Sequence, residues 1–244
     1  MKTLRKFTLL VVNMFESIRK LFSRKDEPAE GTEIDFIPPE EEVESQESDI
    51  YEEVASLLEI EPELLRAFVK VEAGSKNDLD GRVIIRWETH IFERYTGVTV
   101  RVHGKRGRIT KECQDNEYEA FNRAAKLVED GKYEKKAYMS ASYGLPQIMG
   151  FHYKRLRFGS PQKLKEYIGS SEENAIRAMG KFIMTDSRLL GACRDKNYHL
   201  IATYYNGAGY KNYAINGVTY ADRIQSEYER IKPPEGSGGV DVSI

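Results

Sequence analysis

From residue 51 to residue 232, apolar residues recur at spacings of three and four in short runs. The runs are separated by capping residues, prolines and glycines. That spacing puts each run on one face of a helix, so the chain must build its core mainly from short helices. IYEEVASLLEI follows a capping Asp49, and Pro62 suits the first turn of a helix over 62–72. NEYEAFNRAAKLVEDG is amphipathic and closes at Gly131. SSEENAIRAMGKFIMTD opens on a Ser-Ser-Glu-Glu cap signal, NYHLIATYYNG ends at Asn206-Gly207, and a last helix spans about 219–231. Val83, Ile84 and Ile85, then Val98, Val100 and Val102, lie among glycines in 81–109 and predict one small β-hairpin. The expected fold is a mainly α domain with a minor β element and no internal repeat.

The flanks differ from this unit. Residues 1–25 carry seven Lys/Arg against Glu16 alone, and Leu4, Phe7, Val11, Met14, Ile18 and Leu21 form one helical face. Such a basic amphipathic helix suits an anionic membrane surface, export, or packing on another helix. Its uninterrupted apolar run, Phe7 to Val12, is shorter than a signal core, and no small-x-small cleavage site follows. Residues 26–50 hold eleven acids, no base and three prolines, and read as an extended linker. Residues 233–244 read as a flexible tail. Residues 51–244 keep 30 bases and 27 acids, too even a balance to imply nucleic acid. Cys113 and Cys193 make neither a disulfide framework nor a zinc spacing. Four scattered histidines, without His-Glu-x-x-His, give no metal site. No run of about 18 apolar residues is present to cross a membrane.

One carboxylate breaks the pattern. Leu65, Phe68, Val69 and Glu72 share a stripe, so Glu72 points with the apolar face of its helix. An unpaired buried carboxylate is costly and must be protonated, paired or used. Burial raises its pKa, and a carboxylic acid still protonated near neutrality suits a general acid. Ala-Gly-Ser follows, small residues that leave a ligand room to approach. The plainer reading is a buried Glu bonded to backbone or to an Arg.

Two further stretches bear on that choice. ASYGLPQIMGFHY, 141–153, offers Gln147, whose amide both donates to and accepts from sugar hydroxyls. ATYYNGAGYKNY, 202–213, sets Tyr204, Tyr205 and Asn206 before a Gly-Ala-Gly turn. Alone, the first is a common helix N-terminus with an exposed Gln and the second a helix C-cap with core tyrosines. In order with VEAGS and DGRVIIRWETHIF, they resemble the lysozyme superfamily, in particular goose-type lysozymes and lytic transglycosylases. The likeness is strongest to phage and prophage N-acetylmuramidases, the endolysins, and covers about 55–231.

The resemblance implies a lysozyme-like α+β fold with a central substrate cleft over 51–232. It implies cleavage of the β-1,4 bond between N-acetylmuramic acid and N-acetylglucosamine in peptidoglycan. Glu72 matches the catalytic acid; Glu88 and His90 match the Phe-Glu-x-His element. Glu88 would stabilise positive charge on the sugar or activate water; its structural alternative is pairing with Arg86 or Arg94 or orienting His90. His90 is expected as a hydrogen-bonding residue, and Asp78 and Asp80 compete with Glu88. Ser142, Tyr143, Gln147, Tyr205 and Asn206 would line the cleft. Ala73, Ser75, Trp87, Tyr143 and Pro146 depart from the family pattern, which bears on subsite detail. The implied protein is a monomer without cofactor, made in the bacterial cytoplasm, acting on the wall from the periplasm, and exported by a holin or its own N-terminal segment. The rival functions are a lytic transglycosylase and a catalytically silent wall-binding protein.

Overall fold

The computed structural model describes residues 49–73, 76–127, 133–214 and 216–233. The amphipathic segment 1–25, nearly all of the acidic linker and all but Pro233 of the tail lie outside these residues.

The expected helices form, with shifted ends. α1 (Ile50–Leu58) starts where the Asp49 side chain accepts from Tyr51 N–H, so its cap and first residue fall inside the expected linker. It ends at Glu59 in the left-handed conformation. α2 (Pro62–Ala73) buries Leu64, Leu65, Phe68 and Val69. α3 (Thr89–Thr96) follows a short β region. α4 (Lys111–Ala125) is capped by Thr110, five residues before the expected start. It stops before Gly131, which lies outside the described residues. α5 (Glu134–Met139), α6 (Pro161–Ser170) and α7 (Glu172–Met184) follow, α7 capped by the Ser171 hydroxyl. α8 (Ser187–Arg194), α9 (Tyr198–Tyr205) and α10 (Tyr220–Ile231) complete the order, with 3-10 turns at Gly150–Tyr153 and Tyr210–Tyr213.

α7 is the inner helix. Ala175, Ile176, Ala178, Met179, Gly180 and Ile183 are all buried against α1, α6 and α8. A Cβ on Gly180 would stand 2.4 Å from Val54 Cγ1, so the glycine sets how closely α1 approaches. α10 packs along α2, and that contact builds the site.

The β elements differ from expectation. β1 (Asp78–Leu79) and β2 (Arg82–Val83) make a tight hairpin through Asp80 and Gly81, both at positive φ. β3 (Ile85–Trp87) pairs instead with β4 (Ala141–Tyr143), which turns back into β5 (Ile148–Met149). Val98, Val100 and Val102 form no strand. The edge of β3 they were expected to pair with is taken by side chains of α4. Gln114 accepts from Ile85 N–H at 2.9 Å and donates to Ile85 C=O at 3.1 Å. Glu117 accepts from Trp87 N–H at 2.7 Å. Every buried backbone polar group needs a partner, and here an amide and a carboxylate stand in for a strand. The valine segment is held through Val100 C=O, which accepts from Trp87 Nε1 and Thr89 Oγ1.

Candidate active site

Glu72 sits in the last turn of α2, on the stripe with Leu65 and Phe68, as its spacing predicts. α10 brings Tyr220 over it, and the Tyr220 hydroxyl donates to Glu72 Oε1. Tyr220 is itself buried, at the first position of a helix fixed by a Thr219–Asp222 capping box. Part of Glu72 still opens to a narrow recess, but the packing around its carboxyl excludes most water. Burial is the main influence and pushes its pKa up to about 7, against the Tyr220 hydrogen bond and the charges of Arg86 and Arg223. At neutral pH a large share of Glu72 therefore carries a proton.

The recess has a volume of about 20 Å3, room for roughly one water. It is lined by Glu72, Arg86, Arg108, Gln114, Glu117 and Gln147 with flanking backbone. Gln147 arrives on the turn between β4 and β5, at φ +46°. Ser142 Oγ donates to Gln147 Oε1 at 2.9 Å, and Gln147 Nε2 donates to Gly144 C=O at 2.7 Å. Both ends of the amide are thus oriented from within the chain. The turn is pinned by Asn77, whose Oδ1 accepts from Leu145 N–H and whose Nδ2 donates to Ile168 C=O.

The other expected residues divide. Tyr205 packs edge-on to Phe68 at 5.2 Å and donates to Pro146 C=O, tying α9 to the Gln147 turn. Asn206 is exposed at the C-cap of α9. Ser142 is buried and serves Gln147. Tyr143 is a correction: it is fully buried and donates to Tyr138 C=O, so it lines no cleft. All three residues of β4 are buried, and Tyr143 lies in the core where the strand meets α6 and the Gly150–Tyr153 turn.

Glu88 caps α3 through its backbone only. Its carboxyl pKa is raised by burial, opposed by Arg106, His90 and Arg86. His90 is largely exposed, with Nδ1 3.5 Å from Glu88 Oε2. Glu88 does not line the recess beside Glu72, although the charge of Arg86 acts on both carboxylates. Asp78 and Asp80 are exposed on the β1–β2 hairpin. No group of three or more His, Cys, Asp or Glu suited to a metal occurs among the described residues.

Sequence reasoning missed Tyr220, Asn77 and Glu117. The first two carried no local signal. Glu117 did, because it lies on the buried face of α4 with Cys113, Ala120 and Phe121, as Glu72 does on α2. There the carboxylate is structural, accepting from Trp87 N–H and from Arg106.

A buried, protonated carboxyl beside an oriented amide, at a junction of helices and a small sheet, is an arrangement suited to cutting a glycosidic bond. Comparison with curated proteins yields no significant match. Among solved structures, a Burkholderia AP3 phage endolysin superposes with a TM-score of 0.60 at 26% identity, covering 75% of this chain and 68% of that one. No helix among the described residues is long and apolar enough to cross a membrane. The N-acetylmuramidase family model matches residues 61–232, the unit that carries Glu72 and the Gln147 turn. The chain belongs to the N-acetylmuramidase family, glycoside hydrolases that act on the peptidoglycan of the bacterial cell wall.

Proposed function

We propose that Glu72 is the general acid of an endolysin-type muramidase. The observation that carries this is the buried Glu72 carboxyl, held at one oxygen by Tyr220 and protonated near neutrality. A sugar ring is too large for the recess and sits over its mouth. With Oε1 accepting from Tyr220, Oε2 carries the proton and delivers it to the leaving oxygen. Gln147, Tyr205 and Asn206 flank the strand, and Ser142 sets the Gln147 amide. Glu88, whose raised pKa reflects a desolvated carboxyl, activates the attacking water or stabilises the sugar cation.

A second reading has one observation in its favour. Glu88 does not share the recess with Glu72, and a lytic transglycosylase needs only one carboxyl because a substrate hydroxyl attacks. Mass spectrometry of digested peptidoglycan separates the two. Reducing N-acetylmuramic acid ends from the wild type, absent with Glu72→Gln, support the hydrolase. Anhydro ends, lighter by one water, support the transglycosylase. No products from the wild type would sink both and leave a wall-binding protein.

The muramidase family and the phage-endolysin likeness support action on the cell wall; synthesis in the cytoplasm, export to the wall and a monomeric state complete the proposal. The basic residues 1–25 suit contact with anionic membrane on that route. Unchanged vesicle binding after deletion of 1–25 would refute that contact.

A further inference from the structure

Two arginines around the β region are tied to the protein. Arg82 pairs with Asp115, and Arg106 pairs with Glu117 while donating to Trp87 C=O. Arg86 on β3 and Arg108 in the segment after α3 are different. Both are exposed and both line the recess with Glu72 and Gln147. Arg86 pairs with Ser142 of β4 through its backbone, but among the described residues neither side chain forms a hydrogen bond or an ion pair. The segment that leads to Arg108 is anchored two residues earlier, where Arg106 bonds to Glu117 and Trp87.

For acid catalysis alone, Arg86 is a handicap. Its charge favours the ionised forms of both Glu72 and Glu88, whereas a general acid must keep its proton. That handicap disappears in a complex where an anion covers the guanidinium. The sugar rings of peptidoglycan are neutral; its negative charges are carboxylates on the lactyl-linked peptide of the muramyl unit. A guanidinium presents a planar fork that matches a carboxylate.

We infer that Arg86 and Arg108 form a carboxylate-recognition edge at the mouth of the site, which selects glycan strands whose muramyl units bear anionic stem peptides. The inference rests on the muramidase reading above. It makes the two arginines specificity-determining residues, and it gives substrate binding a part in acid catalysis. A bound carboxylate cancels the field of Arg86, so Glu72 holds its proton more firmly in the complex than in the free enzyme.

The test uses the full chain and three substrates: peptidoglycan strands bearing native stem peptides, the same strands with their carboxyls converted to methylamides, and amidase-stripped strands that expose the lactyl carboxylate. Wild type is expected to favour native over methylamidated strands by about tenfold in kcat/KM, the scale of charge complementarity at an exposed contact. In Arg86→Gln/Arg108→Gln that ratio falls to near one, while Arg86→Lys/Arg108→Lys, which keeps the charges, retains most of it. Stripped strands cut as fast as native ones assign the recognised carboxylate to the lactyl group; stripped strands as slow as methylamidated ones assign it to the stem peptide. A second readout is the alkaline limb of the pH profile. For wild type on native strands it lies higher in kcat than in kcat/KM, and the gap closes on methylamidated strands. A wild-type ratio near one, or a Gln pair that loses the same factor on native and methylamidated strands, overturns the inference and leaves the muramidase reading intact. Failure of the wild type to cut any of the three substrates removes the muramidase reading, and this inference with it.

Discussion

Replacing Glu72 by Gln is expected to stabilise the protein at alkaline pH while abolishing activity. Folding holds the Glu72 carboxyl at about 7 instead of its ordinary 4.5. At about 1.4 kcal/mol per tenfold change in proton affinity, ionising Glu72 inside the fold costs about 3 kcal/mol more than in the unfolded chain. The sign follows from linkage. Between pH 4.5 and 7 the folded state keeps a proton that the unfolded state has released, so stability falls as pH rises through that window. Above it the full penalty is present. Gln cannot ionise, has nearly the same shape, and keeps an oxygen to accept from Tyr220 O–H. Urea unfolding at pH 4.5 and pH 8 isolates the effect, because other titrating groups are common to both proteins. The stability difference, Gln minus wild type, should grow by about 3 kcal/mol from the lower pH to the higher. Activity should drop by about 10²–10⁴, the scale of a positioned general acid. Stability–pH curves that run parallel would refute the reasoning, since Glu72 would then ionise as it does in water.

Tyr220→Phe removes a hydrogen bond that favours the ionised acid, so Glu72 should hold its proton to still higher pH. A bond to a charged group is worth about 1.5–3 kcal/mol, so the alkaline limb of kcat/KM should rise by about one pH unit or more, read from a pH–rate profile. Gly144→Ala should unfold at markedly lower urea. The residue sits at φ +60° and an added Cβ would meet Asn77 Oδ1 at 2.3 Å, a combined cost of about 2 kcal/mol or more. Because Asn77 also pins the Gln147 turn, activity per folded molecule should fall as well, measured on native protein at low temperature. Glu117→Ala leaves Trp87 N–H buried without its acceptor and frees Arg106; a loss of about 2–3 kcal/mol is expected in thermal unfolding. Unchanged melting would mean that the edge of β3 finds another partner.

The predictions draw unequally on sequence and structure. Six of the helices were legible because a period of three to four, with Asp49 and Ser171 at two of the caps, needs nothing outside the segment itself; α3, α5, α6 and α8 were not read. The β region was legible only as apolar alternation. Alternation reports which side chains are buried, not what the backbone pairs with. So Val98 to Val102 read as a strand, although Gln114 and Glu117 of α4 occupy the edge of β3. Tyr143 read as a cleft residue for another reason, its place in a stretch that carries the family resemblance, and it lies in the core.

The site shows the division most clearly. By itself, the sequence determined that Glu72 belongs to the buried face of its helix, and the family resemblance grouped it with Gln147 and Tyr205. Stripe position alone could not distinguish Glu72 from Glu117, since each is a carboxylate on an apolar helical stripe. Tertiary structure decided that. Glu117 accepts from Arg106 and from a backbone N–H and becomes a brace. Glu72 meets a tyrosine hydroxyl from a residue 148 positions away and otherwise little water, and keeps its proton. Spacing along a helix fixes where a side chain points; the free energy of its charge depends on what the rest of the chain brings to meet it.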